Sequence, residues 1–446
     1  MTATSPIRFP DLRSPQTMTR RAWWLVGLNL LIPGSVQMLA GNRRFGRFAV
    51  GTTFLLWALA VIGLVVYLAA RTVIYTVVTN PVALTVVQVA LAAYAILWIV
   101  LTLDTLRLTR LIGALPVARP FIAGLAVLAL LGTAGAASYG AVTAGSARSA
   151  VTQIFAGTNM APPENGRYNI LLLGGDAGPD RTGLRPDSTS LASIDAATGK
   201  TTIIGIPRNM EKIQFAAGSP LYGPFPKGYN CGDLCLIDYL YTYGEEHPKL
   251  FPNATANGSS SGIEAMKDAA EGVTGLKVQY FALIDMQGFA DLIDALGGVT
   301  IDVPARTPYG GVTGKTPEGF FEVGTQKMDG AAALWYARSR YDGNDFQRMA
   351  RQRQVQEAML KQFQPSIVLT KFQDIAKAGA QVVKTDIPSA ALAGFVDLAD
   401  RSRKLPVTRL ELVPPTFNPA SPDYAKLHAA VAAANSPATA SPTPAP

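Results

Sequence analysis

Residues 169–195 read NILLLGGDAGPDRTGLRPDSTSLASID, and this stretch decides the fold class of the region around it. An apolar run, Tyr168–Leu173, ends at Gly174-Gly175, the pattern of a buried strand closing on a turn. Asp176 stands at its carboxyl end, and the following loop delivers Arg185 and Asp187 just before a second strand, Ser190–Asp195. A third, Thr201–Ile206, ends at Pro207-Arg208. Downstream, Gly262–Val273 has helical spacing. Tyr280–Ile284, Gln287–Leu296 and Val299–Val303 then read strand, helix, strand, with Gly297-Gly298 as the stop signal. Helices are expected at Gly330–Ala337, Asp345–Phe363 and Lys371–Lys384, and a last strand at Leu410–Val413. Strands alternating with helices imply an α/β domain, helices on both faces of a central sheet, over 167–415. The Ala/Ser/Pro-rich segment 416–446 is expected to be disordered.

Upstream the composition changes. Phe48–Ala70, Thr72–Leu103 (broken by Asn80-Pro81) and Phe121–Val142 are free of charge, each with the roughly 20 apolar residues that cross a bilayer. Ala22–Ala40 is interrupted by Asn29, Pro33-Gly34 and Gln37. Arginines flank it on both sides (Arg20 and Arg21 before, Arg43, Arg44 and Arg47 after), so both ends read as cytoplasmic and a re-entrant hairpin bent at Pro33-Gly34 is expected. Four full spans are the alternative. The expected organisation is therefore a cytoplasmic N-terminus over 1–21, a transmembrane region over 22–145, a small-residue linker over 146–166, and an extracytoplasmic domain in a multi-pass protein of the cell membrane. The net charge of +8 permits nucleic acid, anionic lipid or phosphate ligands. An outward-facing domain without a helix-turn-helix pattern excludes nucleic acid. Cys231 and Cys235 lie in a Gly/Pro-rich loop and read as a local disulfide or as two free thiols. His247 and His428 supply no zinc ligand set, and there is no G-x-S-x-G for a serine hydrolase.

The chemistry concentrates in three segments. Asp176 and Asp187 near strand ends suit an oxygen-preferring divalent cation, Mg²⁺ or Mn²⁺, although either alone also reads as a turn cap. Arg208 follows a strand. In ALWYARSRYDGNDFQRMARQRQVQEAMLKQF, residues 333–363, Arg338 and Arg340 end one helix and Asp345 is placed to cap the next. At about 100° per residue Arg348, Arg351 and Gln352 share a side with Val355, Ala358 and Met359, while Arg353 and Lys361 project elsewhere. Arginines on a core-facing stripe need anionic partners. Nearby carboxylates are one possibility. A pyrophosphate, matched by arginine forks, is the other.

These motifs resemble the LytR-CpsA-Psr family of cell-wall glycopolymer transferases. The resemblance runs from Tyr168 to Pro415 and rests on NILLLGGD, RPDSTSLASID, IIGIPRNM, LIDYLYTYG, FALIDMQGFADLIDALGGVTIDV, ALWYARSR, DFQRMARQ and VVKTDIP in that order. It implies an α-β-α sandwich with an apolar tunnel for a polyprenyl chain and a polar mouth for its pyrophosphate. The implied reaction moves a glycopolymer from the polyprenyl-pyrophosphate carrier to peptidoglycan as a phosphodiester. Asp176 and Asp187 match the family's metal-associated aspartates, and either is a candidate base. Arg185, Arg208, Arg338, Arg340, Arg348, Arg351 and Gln352 match its phosphate-binding set, with Arg185 and Arg340 also carried over as catalytic. Two departures stand out. Pro207-Arg208-Asn209 replaces the usual Pro-Arg-Asp, and Leu236 replaces a lysine, with Lys227 as a possible substitute. The Asn-Met ending and the cysteine pair are similar to actinobacterial members, with arabinogalactan or a teichoic-acid-like polymer as cargo. A polyprenyl-pyrophosphate pyrophosphatase and a noncatalytic envelope regulator are the alternative functions.

Overall fold

The computed structural model describes residues 7–8, 10–155, 157, 160–176, 185–232, 234–310, 316–341, 343–362 and 383–436, and for Arg71, Thr72, Asp176, Arg185 and Val383 the backbone. The chain divides into two compact units, Met1–Arg148 and Ser149–Pro446.

In the first unit, α1 (Pro15–Leu31) and the short α2 (Ser35–Ala40) are joined by a sharp turn, where Gly34 takes φ 91°. Six residues of α2 rise about 9 Å, too little to cross a bilayer, and the chain turns at Gly34 as the bend expected at Pro33-Gly34 requires. Its polar side chains are covered from within. Gln37 Nε2 donates to the Leu101 carbonyl and to Thr105 Oγ1, both at 3.1 Å, and Asn29 Nδ2 lies 3.4 Å from Thr102 Oγ1. Helix α3 (Arg43–Ala69) passes so close that a Cβ on Gly46 would collide with the Met38 backbone. The stretch expected over 72–103 is two helices, α4 (Arg71–Thr79) and α5 (Pro81–Thr109). Asn80 caps the second through its side chain and Pro81 begins it. Helix α6 covers Ala118–Ile154, so the first residues of the expected linker are helical. Helices over Arg43–Ala69, Pro81–Gly113 and Ala118–Ile154 are long and apolar enough to cross a membrane.

The second unit is built on a six-stranded mixed sheet. Its strands are β1 (Arg167–Asp176), β2 (Arg185–Asp195), β3 (Thr201–Ile206), β4 (Tyr280–Asp285), β9 (Val383–Thr385) and β10 (Thr408–Glu411), in the order β10-β3-β2-β1-β4-β9. Two small sheets flank it: β5 (Val299–Val303) with β8 (Gly324–Met328), and β6 (Thr307–Tyr309) with β7 (Gly319–Phe321). Side chains alternate along a strand. Leu171, Phe281 and Leu283 accordingly join a core with α7 (Tyr239–Glu246) and α8 (Ser261–Thr274) on one face. On the other face, Leu172, Ala282 and Ile284 look toward α9 (Met286–Leu296), α10 (Gly330–Arg338) and α11 (Asp345–Gln362), where they line a cavity. Helix α12 (Ser389–Ser402) also packs against α11. The α/β sandwich is thus as expected. The helix read over Lys371–Lys384 falls mostly outside the described residues, and its end, Val383–Thr385, is strand β9.

Two boundaries differ from the sequence reading. The segment expected to be a disordered tail from 416 contains α13 (Tyr424–Asn435), capped by Asp423, with Leu427 and Val431 buried in the first core. Its alanines resemble low complexity, yet alanine is the strongest helix former, and Tyr424 joins Leu427 and Val431 in docking it, its hydroxyl accepting from the Gln214 backbone and donating to the Lys212 carbonyl. Cys231 and Cys235 form a disulfide that leaves Leu234 exposed and Cys235 buried.

On α8, burial pushes the Asp268 carboxyl up to about 6, although Ser219 Oγ donates to it and opposes the shift. The folded chain therefore holds this proton more tightly than the unfolded one. Its contribution to stability is fully present below about pH 4 and is lost as pH rises through about 6. Asp268→Asn is expected to raise stability by about 3 kcal/mol at pH 8 and to change it little at pH 4. Thermal melts at the two pH values check this, and a larger gain at pH 4 would refute it.

Candidate active site

A β-bulge sets the first element of the site. Gly174 pairs with Ser188 and Gly175 with Pro186, so Asp187 has no partner across the strand and is turned out of the ladder. Asp176 and Arg185 are the next register pair, one step beyond the bulge. Asp187 Oδ1 lies 2.5 Å from Nη1 of Arg208, which stands just after β3. Arg208 Nε is also 3.5 Å from Asp345 Oδ2.

Asp345 does not cap α11. Asn344 does: its Oδ1 accepts from the Gln347 backbone, and Gln347 Oε1 accepts from the Asn344 backbone in return. That reciprocal cap frees Asp345 to face three guanidinium groups. Arg348 Nη2 lies 2.8 Å from its Oδ1, and Arg340 Nη2 and Arg208 Nε lie 3.5 Å away. Burial opposes the charge on Arg208, but Asp187 and Asp345 outweigh it and hold its pKa above the ordinary arginine value. Arg348 is shifted the other way: burial lowers it, Asp345 opposes this, and Arg340 adds like-charge repulsion. The Arg348 Nε and the Gln352 Oε1 are buried without hydrogen-bond partners among the described residues.

These groups rim a cavity of about 760 Å³. Asp187, Arg208, Arg338, Arg340, Arg348 and Gln352 all line it, so six of the expected site residues converge. Its remaining wall is apolar, from Leu172 and Ile284 on the sheet to Phe289, Leu292, Leu334 and Met359 on the helices. Asp285, the N-cap of α9, adds a carboxylate that sequence reading missed, because a capping aspartate carries no other signal. Asp176 and Arg185 belong to this end of the sheet by backbone register.

Arg351 is a correction. Its guanidinium does not line the cavity: it donates to the carbonyls of Tyr336, at 3.0 Å, and of Ser339, clamping the end of α10. Arg353 is the converse. Expected to project away from the core, it is 1% exposed, with Nη1 2.7 Å from Gln356 Oε1 and Nε 3.5 Å from Glu411 Oε1 on β10. Helix α11 packs on β5 on one side and on β3 and α12 on another, so it has two buried faces where a single stripe was expected. Lys227 and Asn209 are both exposed, and neither lines the cavity.

The model of the LytR_cpsA_psr family matches residues 134–416. The chain belongs to this family. Among curated relatives, a protein named polyisoprenyl-teichoic acid–peptidoglycan teichoic acid transferase TagU, from Bacillus licheniformis, is 26% identical over 222 residues, covering 49% of this chain and 60% of the relative. Biofilm regulatory protein A of Streptococcus mutans is 28% identical over 228 residues, covering 49% and 50%. The chain thus spans less than two thirds of the length of these relatives. The crystal structure of Bacillus subtilis TagV aligns at 20% identity with a TM-score of 0.44, over 61% of this chain and 96% of that one.

The two arginine positions separate experimentally. Arg351→Ala is expected to lower stability by about 2 kcal/mol through the lost carbonyl clamp. Arg340→Ala is expected to weaken the binding of inorganic pyrophosphate, used as a probe polyanion, about tenfold with little change in melting temperature. Calorimetric titration beside thermal melts separates them, and a larger affinity loss for Arg351→Ala would return it to the phosphate set.

Proposed function

We propose that this protein transfers a glycopolymer from a polyprenyl-pyrophosphate carrier to peptidoglycan. The observation that carries the reading is the cavity's two-part wall: arginines and aspartates at one end, aliphatic and aromatic side chains along the rest. An amphiphile with an anionic head and a hydrocarbon tail matches both parts. The name of the TagU relative, which includes teichoic acid and peptidoglycan, supports the same reaction class. The polymer here is a glycopolymer of unassigned type, arabinogalactan or teichoic-acid-like.

The arginines carry the chemistry. Arg208, Arg340 and Arg348 surround the position where pyrophosphate oxygens would displace Asp345 as their counter-charge. In the transfer, a peptidoglycan hydroxyl oxygen attacks the phosphorus attached to the polymer. The bond from that phosphorus to the bridging oxygen breaks, polyprenyl phosphate departs, and the hydroxyl proton passes to a base, for which Asp187, on the cavity wall, is one candidate and Asp176, at the same end of the sheet by backbone register, the other. Charge that builds on the departing phosphate is met by guanidinium groups already in position, so little reorganisation is needed.

The donor set also fits Mg²⁺ or Mn²⁺. Among the described residues no group of three His, Cys, Asp or Glu could hold a metal by itself. Mg²⁺ commonly keeps several waters and takes one or two carboxylates plus substrate phosphates, so Asp187 on the cavity wall would hold it, with Asp176 as the second carboxylate. Bound there, it would neutralise charge on the pyrophosphate. The first unit, with its three long apolar helices, would anchor the protein in the cell membrane as a multi-pass chain with the second unit outside the cytoplasm.

The test supplies the full chain with a polyprenyl-pyrophosphate-linked polymer, with and without peptidoglycan and divalent cation. Expected are covalent attachment of polymer to peptidoglycan, release of polyprenyl phosphate, and a loss of about 100-fold in rate for Arg208→Ala or Asp187→Asn. Release of polymer phosphate without attachment would make the protein a pyrophosphatase. Unchanged attachment in both variants would remove the site from catalysis.

A further inference from the structure

Residues 1–148 hold twelve arginines and no lysine against two aspartates, so the positive balance of the chain resides entirely in the helical unit. The structure collects much of it at one end. Arg21 Nη1 donates to the Leu108 carbonyl at 2.8 Å, tying α1 to the end of α5. The Leu115 backbone donates to Thr19 Oγ1 at 2.9 Å, and Gly41, just before α3, abuts the Leu108 side chain. Arg21 and Arg119 spend their guanidinium groups on carbonyls. Arg20, Arg43, Arg44, Arg47, Arg107 and Arg110 remain exposed, and among the described residues none of them pairs with a carboxylate.

Beside them lies an open cavity of about 460 Å³, lined by Gln16, Thr19, Arg20, Trp23, Trp24 and Leu115. Trp23 is 40% and Trp24 64% exposed. A tryptophan pair next to uncompensated arginines, at the end of apolar helices, has the chemistry of the headgroup layer. Indole rings favour that depth, and basic pockets between membrane helices take anionic headgroups.

We propose that this cavity is a binding site for an anionic phospholipid headgroup, with Arg20 contacting the phosphate and the tryptophans packing on the glycerol and upper acyl chain. The site rests on the reading of this unit as membrane-embedded, and it is separate from the arginine cavity of the second unit. Arginines that only set orientation act by general attraction, to which each contributes alike. A built pocket concentrates the effect on the arginine that lines it.

The experiment uses the full chain in nanodiscs of phosphatidylcholine doped with phosphatidylglycerol, either lipid carrying a nitroxide near the headgroup, and reads tryptophan quenching against a Trp24→Phe reference. Expected is stronger quenching by labelled phosphatidylglycerol than by labelled phosphatidylcholine. Arg20→Gln should lower that preference about fivefold, whereas Arg20→Lys and Arg13→Gln, the latter outside the cavity, should retain it. Equal quenching by both lipids, or an equal loss in Arg13→Gln and Arg20→Gln, overturns the proposal. Displacement of the labelled lipid by millimolar inorganic phosphate would assign the pocket to a soluble anion and also overturn it. Failure of the chain to enter nanodiscs would overturn the membrane reading along with it.

Discussion

Leu172, Ala282 and Ile284 point away from Leu171, Phe281 and Leu283 because neighbouring side chains on a strand face opposite ways, and the second unit is arranged around that partition. One face of β1 and β4 closes over a packed core with α8. The other is left open beneath α9, α10 and α11, where side chains line space in place of filling it. Because β1 and β4 are parallel neighbours, their carboxyl ends lie together, and Gly175 stands level with Asp285. The polar rim is therefore at the end of the strands and the apolar wall runs along their length. Both properties follow from two strands sharing a direction.

The rim is held by charge shared unequally. Asp187 and Asp345 face Arg208, Arg340 and Arg348, and Arg338 adds to the same cavity. Positive groups outnumber the acids that hold them, and the most buried of them, Arg348, keeps an unsatisfied Nε. A network of this kind is stable enough to position its arginines yet remains open to a polyanion, since incoming oxygens replace a carboxylate as partner without leaving a guanidinium bare.

Much of this was legible in the residues. Strand and helix patterning located β1 to β5 and α8 to α11 because each has an apolar run or stripe and a Gly, Pro or Asp boundary. The arginine cluster was legible because charge on a core-facing stripe is unusual. What escaped depended on neighbours distant in sequence. Arg353 was placed outside the core because nothing local announces that α11 is covered on two sides. Arg351 has the right helical phase for the cavity, yet its length lets it reach back to the carbonyls of Tyr336 and Ser339. Asp345 and Asn344 are both good caps, and only the reciprocal bond from Gln347 decides between them. The bulge at Asp187 has no sequence signature apart from the paired glycines opposite it.

Helix α13 docks late in synthesis. Thr202 Oγ1 donates to the Ala434 carbonyl and Lys200 Nζ to that of Ser436, so the start of β3 closes against residues more than 230 positions later. The family match ends at 416, ahead of this helix. The sheet face that α13 covers therefore stays unsealed until residues 424–435 have emerged from synthesis. During that interval Leu427 and Val431 have yet to reach their places, and the half-covered core is the surface that any folding helper would encounter.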